Sequence, residues 1–530
     1  MALDSAIELI SQRSTSTSAN NSYIFTGKRS EIDQYLQAVD IIQHSIASGS
    51  AHDHNRAKSA IQIAMPVLVN EMHNLLNINK HKSTHNPDST TYSSTMSDTS
   101  SNSYIDDYEY RSTFSVTVIN DIRSILKRMN VAGYMEDCKK AYVSNRKRCI
   151  DDSYQKLDVQ KLSCNDARTM EWHTLELVIK VWMKSAKICF RKILPYEKHL
   201  CEIIFGDDMD DDCFIEMSSG CAIELLEIAT NLSCVRIASD RLFRILELYK
   251  TFTDLLPEMN KMFNAQSSES FRTKAGQMVP KLAGVACMIV EKFEKDLFSA
   301  DLSQHAPVDK IHSLCRYVMD YVYKLGQNKQ TLMELSLSKP PLTPSVEMNF
   351  TVVEPQLQSK LPFHVMWIIM CLVYKLEDEA KGYKNDSDTD FYLMNNLFYV
   401  VRKIDGRLEV KEMVGDDCFE KVSSKFDQAK AKYLRLTLGK VLSILEDNTS
   451  LQKRLKGFNT EFKKLQINLE KLRVPDFQLL KDIRVSMEET LVPVYSSFLE
   501  QLSVSPCSMV DVKFSVEELK IAILGFFPST

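Results

Sequence analysis

Apolar residues recur at spacings of three and four along most of this chain, the period that puts them on one face of a helix. Ile32, Tyr35, Leu36, Val39, Ile42 and Ile46 form the first stripe. Ile61, Met65, Val67, Leu68 and Met72 continue a second one to Leu76. Together they predict helix over 29–80, as two short segments that pair as a hairpin or dock on a partner's helices. From Val118 onward the period is nearly unbroken. Ile119, Ile122, Ile125, Leu126 and Met129 mark one stripe, and Leu242, Ile245, Leu246, Tyr249, Phe252 and Leu256 another, with Pro257 near the expected helix end. Polar or proline-containing connections fall at 206–212, 266–269, 299–309 and 338–355. The longest apolar run, Val365 to Tyr374, is shorter than the ~20 residues a bilayer-spanning helix needs and reads as a buried core helix. No fixed-period repeat is visible. The expected fold class is all-α, an elongated rod of consecutively stacked antiparallel helical bundles.

The pattern fails in one place. Residues 83–103 are dominated by Ser, Thr and Asn, with few aliphatic side chains to bury. The stretch 81–116 therefore reads as a flexible linker that could carry phosphorylation sites. It divides an N-terminal helical region, 1–80, from a main body, 117–530.

Composition sharpens the helical reading and removes several chemistries. The chain holds 14 Gly and 15 Pro in 530 residues, less than half the usual share of about 12% for the pair. So little turn-forming material disfavours sandwiches, barrels and doubly wound sheets. No two glycines lie within two positions of each other, which excludes a GxGxxG dinucleotide loop and a GxSxG nucleophile elbow. No Walker-type phosphate loop is present either. The 13 cysteines are odd in number and form no CxxC pair, which argues against a disulfide framework and a thiolate zinc site. His52 and His54 read as a loop feature rather than metal ligands. The acidic run at 206–212 lacks the alternating ligands and central glycine of a calcium loop. Asn395 and Asn396 lie in an apolar helical context, so at least one should be buried and hydrogen-bonded. Trp172, Trp182 and Trp367 read as core or half-buried packing residues. Nothing assembles a nucleophile, base and orienter, and no cofactor is expected. The N-terminus lacks the basic region of a secretory signal, so the expected location is the cytosol.

Net charge is −5, which does not suit bulk attraction to nucleic acid. The distribution is uneven. Residues 401–485 carry 19 Lys/Arg against 13 Asp/Glu, a balance of +6. The densest stretch holds Lys453, Arg454, Lys456, Lys463, Lys464, Lys471 and Arg473 against Glu461 and Glu470. Such a face is either solvated or attracted to an anionic membrane, at about 1 kcal/mol per basic residue near the lipid.

The order of local motifs goes further. Residues 123–163 resemble the exocyst Exo-seventy subunit family, in particular its plant branch. Gly133, Tyr134, Asp137 and Cys138 match a Gly-Tyr-x-x-acid-Cys motif. Ile150, Asp151, Asp152 and Ser153 stand where the family has a Leu-Asp-Glu-Ser-like segment, and Met170, Glu171 and Trp172 match a Met-acid-Trp element. The stretches 240–259, 316–325, 391–404, 491–499 and 31–42 resemble further signatures of the family in the right order. The resemblance covers nearly the whole chain.

It implies a non-enzymatic helical subunit of a tether that holds secretory vesicles at the plasma membrane during exocytosis. The chain would then be cytoplasmic and peripheral at that membrane. Other exocyst subunits would bind its N-terminal region, with small GTPases as further candidate partners. Phosphatidylinositol bisphosphate would bind basic residues toward the C-terminus. The candidates are Lys453, Arg454, Lys456, Lys463, Lys464, Lys471, Arg473, Lys481, Arg484, Lys513 and Lys520, of which Lys513 matches the lysine of an Ile-Lys-Tyr element. Departures from the family pattern include a short connection before the final helix, Glu500 and Gln501 within it, and an apolar ending, ILGFFPST. They motivate an alternative: a specialised helical interaction scaffold that has lost strong membrane binding.

Overall fold

The computed structural model describes residues 3–20, 23–48, 51–81, 114–206, 211–301, 306–335, 337, 360–504 and 512–528. Every regular element among them is helical, and none is long and apolar enough to cross a membrane. Most of the linker expected at 81–116 lies outside the described residues. So do Asp207–Asp210 of the acidic run, the connection at 338–355 and the centre of the one before the final helix. The chain divides into two compact units, Met1–Arg236 with Glu247–Val285, and Ile237–Leu246 with Ala286–Thr530.

The first unit begins with α1 (Leu3–Asn20), α2 (Arg29–Ser48) and α3 (Ala51–His81). The apolar stripes foresaw α2 and α3 but not α1, whose few apolar positions include the fully buried Ala6 and Ile10. His52 and His54 stand in the first turn of α3, not in a loop; the His54 ring lies 3.1 Å from the Ile46 carbonyl. Between α1 and α2 the chain is tied to α3 by Glu71, a fully buried carboxylate accepting the amide N–H groups of Ile24 (2.6 Å) and Phe25 (3.2 Å). Burial pushes the Glu71 carboxyl above its usual range, while those two N–H bonds act the other way.

Helices α2 and α3 pair with each other, as the two stripes led one to expect. They pack on α4 (Val116–Val131) and α5 (Met135–Gln155), where Arg29 pairs with Asp121 and Arg128 with Asp40 at 2.6 Å. There follow α6 (Cys164–Thr169), α7 (Trp172–Ile188), α8 (Leu194–Phe205) and α9 (Asp211–Leu232), with one π-helical turn joining α7 to α8. Trp182, fully buried, donates to the Leu225 carbonyl at 2.9 Å and stacks on Phe252, whereas Trp172 is half-buried. Arg146 of α5 makes a bidentate ion pair with Glu197 of α8, both essentially without solvent contact.

Two expectations fail here. Cys164 and Cys234 form a disulfide, with Cα atoms 5.4 Å apart across 70 positions of sequence, against the reduced framework inferred from the cysteine count. The Asn231 side chain holds the two segments together by donating to the Leu162 carbonyl at 2.7 Å, a proximity no local spacing reveals. Pro257 does not end its helix. Helix α10 runs Leu242–Met262 through it, because Leu255, Met259 and Met262 are buried and offset the lost backbone bond.

Helix α11 (Glu269–Ser299) precedes the helices that build the second unit: α12 (Ser313–Gln327), α13 (Lys329–Met333), α14 (Leu361–Ala380), α15 (Asp386–Asp405), α16 (Leu408–Val414) and α17 (Asp416–Glu446). Helix α14 is the expected core helix, with Val365, Trp367, Ile368, Ile369, Cys371, Leu372 and Val373 all buried. Both asparagines of α15 are buried. Asn396 accepts the His312 N–H at 2.8 Å, and Asn395 donates to the Val308 carbonyl at 3.3 Å, so they hold the segment leading into α12. His312 itself caps α12, its Nδ1 accepting the Leu314 N–H at 3.1 Å. The chain ends in α18 (Leu451–Leu469), α19 (Phe477–Val504) and α20 (Val516–Leu524).

Candidate functional site

The eleven basic residues singled out in the sequence all lie on α18, α19, α20 and their connections. Packing decides which way each points. Helix α18 buries Leu455, Phe458, Phe462, Leu465 and Leu469. Phe458 stacks on Tyr495 of α19 at 4.6 Å, and Phe462 meets Phe514 at 5.2 Å and Phe526 at 5.8 Å, so one aromatic seam joins the last three helices. Against α17 the approach is close: a Cβ on Gly457 would stand 3.1 Å from Ile444 Cγ2.

With those faces buried, the opposite face of α18 is fixed. At about 100° per residue, Lys453, Lys456, Lys463 and Lys464 fall within one arc of about 100°, and all four are exposed. Ile467, 46% exposed, lies on the same stripe. Among the described residues of that arc, Lys464 is the lysine with a carboxylate partner, Glu461 at 2.6 Å. This bond holds the Glu461 carboxyl below its usual range, with Lys440 of α17 adding a smaller attraction. Lys440 is exposed and belongs to the same basic neighbourhood. A search for basic runs misses it because it sits outside 453–473, on a different helix.

The stripe leads into the 470–476 turn, where Lys471 and Arg473 are exposed, and on to exposed Lys481 in α19. Asp476 is committed to the helix start, its carboxylate accepting the N–H groups of Gln478 (2.8 Å) and Leu479 (3.2 Å).

Four of the candidates are placed differently. Arg454 is half-buried and lays its guanidinium over the Phe498 ring at 4.8 Å. Arg484 is a fastener for the chain end: Nε donates to the Phe526 carbonyl at 3.0 Å, and one terminal nitrogen to the Phe526 and Phe527 carbonyls at 2.6 and 3.1 Å. Burial lowers its pKa, the expected direction for a cation taken out of water. Lys520 is half-buried and pairs with Glu517 at 3.1 Å. Lys513 is exposed on the extended segment before α20, apart from the α18 stripe in sequence and element. That segment is fixed by Tyr495, whose hydroxyl donates to the Phe514 carbonyl at 2.7 Å and is pushed up to about 12 by burial and then by Glu518. A capping box between Ser515 and Glu518 starts α20.

The arrangement presents outward a row of exposed lysines, of which Lys464 is paired with Glu461. Among the described residues no group of three or more His, Cys, Asp or Glu side chains could hold a metal ion.

Comparison with known proteins fits this helical architecture. Residues 180–524 match the C-terminal model of the Exo70 exocyst complex subunit, and residues 3–78 the N-terminal model of the exocyst complex component Exo70. Exocyst complex component EXO70B1 of Arabidopsis thaliana is 29% identical over 78% of this chain and 67% of its own length. EXO70E2 of the same plant is 25% identical over 97% and 86%, and for EXO70C2, 28% identical, the match spans 56% of the relative. The crystal structure of the Saccharomyces cerevisiae exocyst component Exo70p superposes with a TM-score of 0.55 at 12% identity, over 98% of this chain and 99% of that one. A likeness at that identity speaks to the fold alone. With family models covering both ends of the sequence, the chain belongs to the Exo70 family of exocyst complex components, in its plant branch.

Proposed function

We propose that this chain tethers secretory vesicles to the plasma membrane as a non-enzymatic exocyst subunit, and that the exposed face of α18 contacts anionic phosphoinositide lipid. The observation that carries the lipid reading is the convergence of Lys453, Lys456, Lys463 and Lys464 on one exposed arc, continued by Lys471, Arg473 and Lys481. Each cation near the lipid contributes about 1 kcal/mol, and the attraction fades beyond the Debye length. The N-terminal region, 1–80, is assigned to assembly with other exocyst subunits, and small GTPases are candidate partners of the assembled chain. The names of its relatives support membership of that complex. Localisation is then cytoplasmic and peripheral at the plasma membrane.

The test is co-sedimentation of the full chain with vesicles containing or lacking phosphatidylinositol bisphosphate, at low and moderate salt. Lipid-dependent pelleting that salt weakens is expected. Absence of pelleting by folded protein would remove the lipid role. A second reading, a helical scaffold acting through protein partners with little membrane affinity, draws on a specific observation. Arg454, Arg484, Lys464 and Lys520 have partners inside the chain, which leaves fewer cations to offer.

A further inference from the structure

Phe477, first residue of α19, is 77% exposed, more than any other large apolar side chain among the described residues. Folding does not put it there for its own benefit: a side chain that exposed buries little against its neighbours. Exposed cations flank it in sequence. Lys471 and Arg473 stand exposed in the preceding turn, and Lys481 lies one helical turn along the same face. Of the acids nearby, Asp476 is turned to the amide groups that begin α19, Asp482 is half-buried and accepts the Gln478 side-chain N–H at 2.9 Å, and Glu470 is exposed.

The geometry around Phe477 also says what kind of surface would cover it. A helix-docking ridge needs apolar neighbours three and four residues on. Here those positions are Leu480, which is buried in the chain's own core, and Lys481. What remains is one bulky aromatic ring at a helix–helix turn, with Lys471, Arg473 and Lys481 close to it in sequence and Val485, 43% exposed, two turns along the same face. That pairing suits the boundary between lipid headgroups and acyl chains, where aromatic rings settle and basic side chains reach for phosphates.

We propose that Phe477 is a membrane-inserting anchor, entering the interfacial layer of an anionic bilayer while Lys471, Arg473 and Lys481 hold the headgroups around it. This rests on the lipid reading given above, and adds an apolar, salt-resistant component that a purely electrostatic face would lack.

The experiment uses the full chain and vesicles of phosphatidylcholine with phosphatidylserine and phosphatidylinositol bisphosphate, and vesicles of phosphatidylcholine alone. Three variants are compared with the unmodified chain. Phe477→Trp is a depth probe, read as the difference from the unmodified chain, whose own tryptophans are the buried Trp182 and Trp367 and the half-buried Trp172. Phe477→Ser removes the anchor. Leu408→Ser is the control, because Leu408 is 69% exposed but its neighbouring cations are engaged, Arg407 over the Tyr323 ring and Lys411 with Asp405 at 2.8 Å.

On anionic vesicles, Phe477→Trp should show blue-shifted emission and quenching by lipids brominated near the headgroup. Phe477→Ser should weaken partitioning about tenfold and lose the part that persists at moderate salt, and Leu408→Ser should change nothing. If the unmodified chain binds and Phe477→Ser binds equally, with no quenching of the introduced indole, the anchor is overturned and the electrostatic face survives. If the folded, unmodified chain does not bind, both fall together. Equal quenching on neutral vesicles would contradict the commitment to an anionic surface.

Discussion

Arg146 and the lysines of α18 show two opposite uses of a cation in one chain. Arg146 has no solvent contact, and Glu197 supplies its counter-charge in bidentate geometry. Lys453, Lys456 and Lys463 are exposed on a face where Lys464 alone has a carboxylate among the described residues. Where the partner is internal, the charge holds the fold together. Where the chain supplies no partner, the charge is available to something outside it. Arg484 and Arg454 lie within the same basic stretch of sequence as the lysines but belong with Arg146, since they bind the chain's own carbonyls and ring. Basic residues counted along a sequence thus mix two populations that only packing separates.

The sharpest way to break the contrast is to remove one partner of the internal pair. Glu197→Ala should destabilise the first unit by about 3–5 kcal/mol, because it strands a buried guanidinium. Replacing both partners together, Arg146→Met with Glu197→Leu, should cost much less. Thermal unfolding followed by circular dichroism distinguishes the two, and equal losses would mean that the pair is not an isolated buried unit.

Next in size is Arg484→Ala. Losing three charge-assisted bonds to the last described residues should destabilise the C-terminal end by about 1.5–3 kcal/mol and hasten tryptic cleavage around Lys513 and Lys520. Lipid binding lost in this variant would be secondary to that loosening. The reverse pattern, intact proteolytic resistance with lost binding, would move Arg484 to the external group.

The α18 face should behave in the opposite way. Lys456→Glu with Lys463→Glu should leave the unfolding temperature unchanged, since exposed charges are worth at most about 1 kcal/mol to the fold. Partitioning to anionic vesicles should nonetheless fall at least tenfold, each reversal removing one attraction and adding a repulsion. A marked drop in unfolding temperature would show that these lysines are structural after all.

The smallest expected effect is set by pH. Burial lowers the His312 pKa below its ordinary value, with Glu379 opposing more weakly. A histidine depressed in the folded state contributes stability that is fully present above the unfolded value and is lost as pH falls through the folded one. The cap explains why, since Nδ1 can accept the Leu314 N–H only while unprotonated. Acidification below about pH 6.5 should therefore speed hydrogen exchange at the start of α12, with a loss near 1 kcal/mol. His312→Asn, which caps without titrating, should flatten that response.

How much of this was readable beforehand depends on whether the cause was local. Stripes such as Ile122–Ile125–Leu126–Met129 disclose helices because the period is written in adjacent turns. The core role of Val365–Tyr374 follows from the same signal, as does the burial of at least one of Asn395 and Asn396; the structure buries both. Helix α1 escaped because Ala6 and Ile10 make too thin a stripe, its stability coming from α2 and α3. Pro257 misled because a local rule was overridden by buried neighbours on both sides. The Cys164–Cys234 bond, and the division of basic residues into internal and external, depend on contacts between distant segments. For Arg484 the partner carbonyls belong to Phe526 and Phe527, more than forty positions away, and no count of charges could reveal them. The exposed arc of α18 was the half-legible case: the lysines could be counted, but their convergence required knowing that Phe458 and Phe462 face inward.

The most direct single measurement compares the folded, full-length chain with its Lys456→Glu/Lys463→Glu variant in flotation with phosphoinositide-containing vesicles at low and moderate salt. Cations without internal partners should carry the unmodified chain to the vesicle fraction, less so as salt rises, and leave the equally stable variant behind. Equal flotation of both proteins, or of neither, would contradict the assignment of this face to an anionic membrane.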